Sequence, residues 1–388
     1  MESKRLRILH WTDMYPHRAD MHYGHAVRDL IRSMKAHSPN DSHEIEVFLP
    51  YLSTLMECFG GKFKERSQAL KKPPWHEGLS YRKRLTLLGE MGAQWTSPAW
   101  QRWAGRRLAD VVECDLIHVH TTRNLSIAAM VAARKKGIPY VLTLRYEAAF
   151  IPKLPKRQAD AIIDAVNHAD AVVTLTENLR ECILSYSDAD PVVIPNGTHS
   201  YYDELGDIDQ LPEGRNLLFV GDLYKNKAVH LIVEAVKSLK SKYNDLSLTI
   251  VGSGEELHNL KAMAAGCDFI HFKGRLEREA IRKEMRESNV LCLPSYRESF
   301  GIVGAEAMKQ GLAIIFRRNT CLHGMGRDEE DYLTFENDGD FCPVLDGLLS
   351  DRARLKRIAK SGQDLASGWT WAANVKKHYS IYEKLTGA

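Results

Sequence analysis

Two runs of alternating strand and helix patterns, divided by a polar stretch, predict an α/β protein of two Rossmann-like domains. The first run extends from Leu6 to about Pro195 and the second from Asn216 to Arg317. Between them, Thr198 to Arg215 shows little apolar periodicity and reads as a linker. The chain length agrees, since 388 residues exceed what one ordinary core organises.

Bulk chemistry narrows the class. Apolar content of 44% and charged content of 27% are those of a soluble globular protein. A net charge of +3 gives no whole-protein argument for nucleic acid, and none is expected as a partner. Seven cysteines, scattered and with no Cys-x-x-Cys, favour reduced thiols in a cytoplasmic protein. The apolar run after Arg5 is too short for a signal peptide, and no window suits a transmembrane helix.

The elements follow in order. Leu6–Trp11 reads as a strand, and the polar loop Thr12–Tyr23 carries several histidines. Gly24 opens a helix marked by Val27, Leu30, Ile31 and Met34 at helical spacing, and Glu44–Leu49 is the next strand. Ligands of doubly wound sheets bind beyond the carboxyl ends of the strands, which assigns the loop Thr12–Gly24 to a binding cleft. Asp115–His120 is a strand with a histidine at its carboxyl end. Leu125–Lys136 is a helix stopped by Gly137 and Pro139, and the strand 139–144 leads into Arg145. A helix (157–169), a strand (171–175), a helix (177–185) and a short strand closed by Asn196-Gly197 complete the first run. In the second run, strands at 216–220, 246–251, 269–272, 289–293 and 313–317 alternate with helices. A last helix spans about Ala372 to Leu385.

The stretch Leu293–Met308 organises the second run. A buried strand precedes it and a helix pattern follows, with Gly301 and Gly304 between. A strand, a glycine-bearing turn and a helix start make an anion site, because the first helical N–H groups have no internal partner. Glu298 and Glu306 flank that site and could accept hydrogen bonds from hydroxyls beside a phosphate. A helix-capping carboxylate and a surface glutamate are the bland readings of the pair.

These residues resemble glycosyltransferase family 4. Its Glu-x7-Glu pattern stands here as Glu298 to Glu306. Pro195-Asn196-Gly197, Phe219-Val220-Gly221 with Lys227, Val251-Gly252-Ser253-Gly254 and Ile117-His118-Val119-His120 match further motifs, in family order. The resemblance implies the GT-B architecture: two facing Rossmann-like domains with the C-terminal helix crossing back to the first. It places the N-terminal, acceptor-binding domain at 1–198 plus about 372–388, and the donor-binding domain at 199–371. It also implies a retaining, metal-independent transferase that moves a sugar from a nucleotide-diphosphate donor to an acceptor hydroxyl, in cell-surface glycan or glycoconjugate assembly. The acceptor would be a sugar, a lipid-linked or a small molecule. An epimerase-like enzyme and a non-catalytic nucleotide-sugar-binding protein on the same fold are the alternatives.

Roles follow from the resemblance, residue by residue. Glu298 and His120 would act on the reacting sugar and Lys227 on the charge developing on the leaving diphosphate, with His118 a packed core histidine. Glu306, the N–H groups around Phe300, Gly301 and Ile302, Gly252, Gly24 and Lys225 would hold the donor, and His22 and Arg145 the acceptor. No cofactor and no metal is expected, since no Asp-x-Asp lies in a suitable loop and the protein itself must supply the positive potential. The chain departs from the family at Asp222, where an arginine commonly helps hold the diphosphate, and at Ala228, where glycine is usual. Lys225 is the first candidate to replace that arginine and Arg275 the second.

Residues 62–107 hold eleven Lys/Arg against three Glu, interleaved with Trp75, Trp95, Trp100 and Trp103. A helical insertion with solvated basic faces and inward tryptophans is the first expectation. A peripheral surface for anionic lipid on the inner face of the cell membrane is the second.

Overall fold

The computed structural model describes residues 6–11, 25–38, 43–52, 80–86, 98–110, 113–120 and 126–387. They form two compact units. One runs to Leu175 and takes in Leu179–Ile194 and the chain's end from Asn374; the other holds Thr176–Asn178 and Pro195–Ala373.

The first unit is a parallel sheet of β1 (Leu6–Trp11), β2 (His43–Leu52), β3 (Ser80–Thr86), β4 (Leu116–Val119), β5 (Tyr140–Leu144), β6 (Ala171–Thr174) and β7 (Val192–Val193), in the order β3-β2-β1-β4-β5-β6-β7. Strands β4 and β5 are buried throughout, which explains their continuous apolar reading. The helix Ser126–Lys136 is alanine-rich, and alanines 128, 129, 132 and 133 are all buried. Small side chains let the helix Pro98–Ala109 approach it closely: a Cβ on Gly105 would stand 2.4 Å from the Ala128 carbonyl oxygen. The helix Trp371–Thr386 closes the unit, with the Tyr379 hydroxyl donating to the Met34 carbonyl. The expected return of the last helix to the first domain is therefore observed.

Two expectations for 62–107 need correction. The segment is not only helical, because Ser80–Thr86 pairs with β2 as the sheet's edge strand. Its Tyr-Arg-Lys-Arg run hid it, yet charge is what an edge strand carries to deter further pairing. Nor are the tryptophans all inward: Trp103 is 52% exposed, with the Arg107 guanidinium 5.9 Å from its ring centre. Trp75 and Trp95 lie outside the described residues.

The second unit is a parallel sheet of β8 (Arg215–Val220), β9 (Leu246–Val251), β10 (Ile270–Gly274), β11 (Val290–Leu293), β12 (Ala313–Arg317) and β13 (Leu333–Phe335), in the order β10-β9-β8-β11-β12-β13. The presumed linker is part of this unit. Tyr202 is 1% exposed, Gly206 N–H donates to the Lys309 carbonyl, and Asp203 pairs with the buried Lys309 ammonium at 2.9 Å. Such a polar run lacks apolar period because short 3₁₀ turns and ion pairs, not an amphipathic face, fix it in place. Among the described residues no helix is long and apolar enough to cross a membrane.

Candidate functional site

In the second unit, the loops at the carboxyl ends of β8, β9, β10 and β11 converge. Gly252 makes this possible. It holds φ +137, and a Cβ there would stand 1.9 Å from the Gly221 carbonyl oxygen. The loops are then stitched together: Gly221 N–H donates to the Val251 carbonyl, Leu223 N–H to that of Ser253, and Gly252 N–H to that of Gly274. The Gly252 amide is thus committed within the protein, which corrects its expected role as a direct donor contact. Its task is to let the backbones touch.

Gly301 adopts φ +71 and caps the helix Ile302–Lys309, leaving no side chain across the helix start. No described group accepts from the N–H groups of Ile302 and Val303, so the positive end of the helix stays open. Cys321 packs beneath this turn, its sulfur 3.2 Å from where a Gly301 Cβ would be. Phe300 is fully buried, edge to face with Trp369, so only its backbone is available to a ligand.

Beside this helix start, Lys227 Nζ donates to Glu298 Oε2 at 2.6 Å, and Glu298 Oε1 accepts from the Ser299 N–H. Both side chains are about a quarter exposed. Burial works against the Lys227 charge, but the charge and hydrogen bond of Glu298, with Cys321 and Asp222, hold its pKa above the ordinary lysine value. Lys227 is therefore a fixed cation next to an open helix N-terminus. It lies on a 3₁₀ turn that ends at Ala228, a non-glycine residue at φ +51. Lys225, on the same turn, is exposed.

Arg275 stands beside Asp222. Its Nε donates to Ser253 Oγ at 2.6 Å and its Nη2 approaches Asp222 Oδ1 at 3.3 Å. The aspartate at the arginine position thus holds an arginine delivered from the end of β10. Sequence reasoning ranked Arg275 below Lys225, because the pairing of Asp222 with a residue 53 positions away leaves no local signal. Glu306 is buried on the helix and acts on Tyr202, whose phenol is pushed up first by burial and then by the Glu306 charge.

In the first unit the carboxyl ends of β1, β4 and β5 carry a second cluster. His10 is aligned with His118 across β1 and β4. His118 and His120 share a face, as do Thr143 and Arg145 one strand over. Contacts show that these are one face. His118 Nε2 hydrogen-bonds Thr143 Oγ1 at 2.7 Å and its Nδ1 meets the Tyr382 hydroxyl, while His10 Nδ1 and His120 Nε2 lie 2.8 Å apart. His378 of the closing helix approaches His118, its ring centre 5.4 Å away.

All four histidines are buried, as is Arg145. Burial pushes the His10 imidazole down to about 3 and that of His378 to about 4. His118 and His120 fall well below the usual histidine value, from burial first, then from neighbouring histidines and Arg145. His120 was expected to face a cleft. It is instead as buried as His118, packed between the rings of His10 and His118. His118 is the packed histidine anticipated. His22 and Gly24 lie outside the described residues.

Nitrogen atoms of His10, His118 and His120 come within 4.8 Å of one another, a spacing that would suit a metal ion. The chemistry around them opposes one. Both His118 nitrogens are engaged, and the Arg145 charge would repel a second cation.

Comparisons with known proteins agree with this architecture. Residues 29–200 match the family model described as Glycosyltransferase Family 4, and residues 207–364 the model described as Glycosyl transferases group 1. The chain is 23% identical over 288 residues to an uncharacterized glycosyltransferase, MJ1178, of Methanocaldococcus jannaschii, covering 73% of this chain and 79% of that one. It is 28% identical over 220 residues to phosphatidyl-myo-inositol mannosyltransferase of Mycobacterium leprae, covering 54% of this chain and 58% of the relative. Among solved structures, sucrose-phosphate synthase from Thermosynechococcus elongatus superposes with a TM-score of 0.72 at 17% identity, over 99% of this chain and 100% of the other. Anabaena Alr3699/HepE in complex with UDP-glucose superposes with a TM-score of 0.65 at 14% identity, over 99% and 100%. The two parallel α/β units are those of GT-B glycosyltransferases.

Proposed function

The chain belongs to glycosyltransferase family 4, and on that premise we propose a retaining, metal-independent transferase that uses a nucleotide-diphosphate sugar. The observation that carries the reading is the Lys227–Glu298 pair set beside an open helix N-terminus. In the reaction, the bond from the anomeric carbon to the donor phosphate breaks and its electron pair leaves with the nucleoside diphosphate. The acceptor oxygen bonds to the same face of that carbon, and its proton passes to the departing phosphate oxygen. Charge therefore builds on the diphosphate, where preorganised donors act most strongly. Lys227, the N–H groups of Ile302 and Val303, and Arg275 meet that charge. Lys227 leaves Glu298 for the phosphate, and Glu298 turns to the sugar hydroxyls or to positive charge at the anomeric carbon. Glu306 accepts from the ribose. The acceptor binds the first unit, where His120 and Arg145 stand. Glycan or glycoconjugate assembly is the process such transfer serves.

Thermal-shift titration with UDP-, GDP-, ADP- and TDP-sugars tests the reading. One donor at a hundred times its dissociation constant should add about 2.7 kcal/mol. Transfer should then proceed in chelator with the anomeric configuration kept. Stabilisation by none of the donors, or transfer that stops in chelator, refutes it.

The helix Pro98–Ala109 supports peripheral membrane association as a further part of the reading. It exposes Trp103, Arg106 and Arg107 while packing through small residues. Sedimentation with anionic vesicles should exceed that with neutral ones and fall with salt; equal partitioning rejects it.

A further inference from the structure

We propose that the buried cluster at the carboxyl ends of β1, β4 and β5 seats an anionic oxygen group carried by the acceptor, with Arg145 as its counter-charge. This rests on the reading that the first unit binds the acceptor, and adds the chemical class.

Arg145 is 5% exposed, and no described residue accepts a hydrogen bond from its Nε. Glu147 acts on it only through space. A buried guanidinium nitrogen without a hydrogen-bonded partner is rare, because a buried guanidinium ordinarily has a carboxylate or phosphate on its fork. Arg145 is not isolated in this. His10 Nε2, His120 Nδ1 and His378 Nε2 are also buried with no described partner. Unpaired polar atoms gathered around one unpaired cation are the imprint of a polar, anionic ligand.

Proton counting sharpens the ligand. A neutral His10–His120 pair joined by one hydrogen bond has one N–H end and one lone-pair end left. When His120 Nδ1 holds the proton, it adds a donor to that of Arg145. His378 Nδ1 donates to the Asn374 carbonyl, so its Nε2 is a lone pair that accepts a hydroxyl. The site thus offers a cation, an N–H donor and acceptors. That set matches an oxyanion, such as a phosphomonoester or phosphodiester, beside a hydroxyl, and not a neutral sugar alone. A soluble phosphate ester and an anionic lipid headgroup share this chemistry.

Calorimetric and thermal-shift titrations of the full chain decide it. They use inorganic phosphate and glycerol 3-phosphate against glycerol, with saturating UDP present to occupy the phosphate-binding groups of the second unit. Glycerol 3-phosphate should stabilise the wild type saturably and glycerol should not. Arg145→Gln should weaken phosphate binding at least tenfold, and without ligand should melt higher than wild type because an unpaired charge is gone. A structural arginine would give the opposite melting shift. Co-sedimentation with phosphatidylinositol-containing vesicles that depends on Arg145 assigns the anion to a lipid, and a response to the soluble ester alone assigns it to a free phosphate. The proposal falls if neither glycerol 3-phosphate nor the vesicles distinguish wild type from Arg145→Gln, or if ligand-free Arg145→Gln melts lower. UDP binding read in parallel separates the two readings: intact UDP binding without a phosphate response defeats this inference alone, and phosphate binding without UDP binding defeats the donor assignment alone.

Discussion

Mild acid should unfold the first unit by protonating its buried histidines. His10 and His378 are pushed down to about 3 and about 4, while an unfolded histidine titrates near 6.5. The fold therefore keeps them neutral. Above pH 6.5 both states are neutral and the full stability is present. As pH falls below 6.5, the unfolded chain takes up protons that the folded chain refuses, and stability is lost until the folded pKa values are reached. Each such histidine contributes about 1.4 kcal/mol per pH unit, so the descent from 6.5 to 5 removes about 2 kcal/mol per residue and about 4 for the pair. His118 and His120 add in the same direction. Four kcal/mol is a large share of the roughly 5–15 kcal/mol that holds a domain together. In the second unit, His258 and His271 are exposed. Hydrogen exchange at pH 7 and pH 5 should show β4 and the helix Trp371–Thr386 losing protection ahead of β9 and β11. In denaturant titrations across that range, the double variant His10→Gln, His378→Gln should lose about two protons from the slope of stability against pH. Equal loss in both units, or a slope the double variant leaves unchanged, would refute the reasoning.

Four substitutions probe the second unit. Glu298→Ala should slow transfer by well over tenfold, above about 1.4 kcal/mol of transition-state stabilisation, while UDP affinity holds or rises because Lys227 is released; wild-type turnover in single-turnover assays rejects the role of Glu298. Glu306→Ala should weaken UDP binding more than it slows chemistry at saturating donor, and an unchanged dissociation constant by calorimetry counts against the ribose contact. Ala228→Gly should stabilise the protein by about 0.5–1 kcal/mol, since alanine at φ +51 carries a left-handed penalty that glycine escapes; a lower thermal midpoint contradicts this. Gly252→Ala should cost about 3 kcal/mol or more in urea unfolding, because the new methyl meets a backbone carbonyl that cannot turn aside.

Motifs whose chemistry is local were legible from the chain. The glycine turn Val251–Gly254, the helix start at Gly301 and the carboxylate pair Glu298 and Glu306 are each read within a few residues, because capping and left-handed turns depend on neighbours in sequence. Elements fixed by distant partners were not. β13 and the helices Phe341–Leu349 and Arg352–Ser367 escaped the pattern reading, and β3 was masked by charges that only an edge position makes sensible.

The sequence alone determined the two α/β units, the strand-end positions of the glycine-bearing loops and the carboxylates Glu298 and Glu306 beside a helix start. Those follow from periodicity, glycine placement and helix-terminus electrostatics, all short-range. Only the tertiary structure decided that Asp222 holds Arg275, that His10 and His378 join His118 and His120, and that Arg145 lies buried with its Nε unpaired among the described residues. Each of these depends on which strands become neighbours and which helix closes over them. Burial then converts ordinary side chains into neutral histidines and a cation whose Nε has no described hydrogen-bond partner.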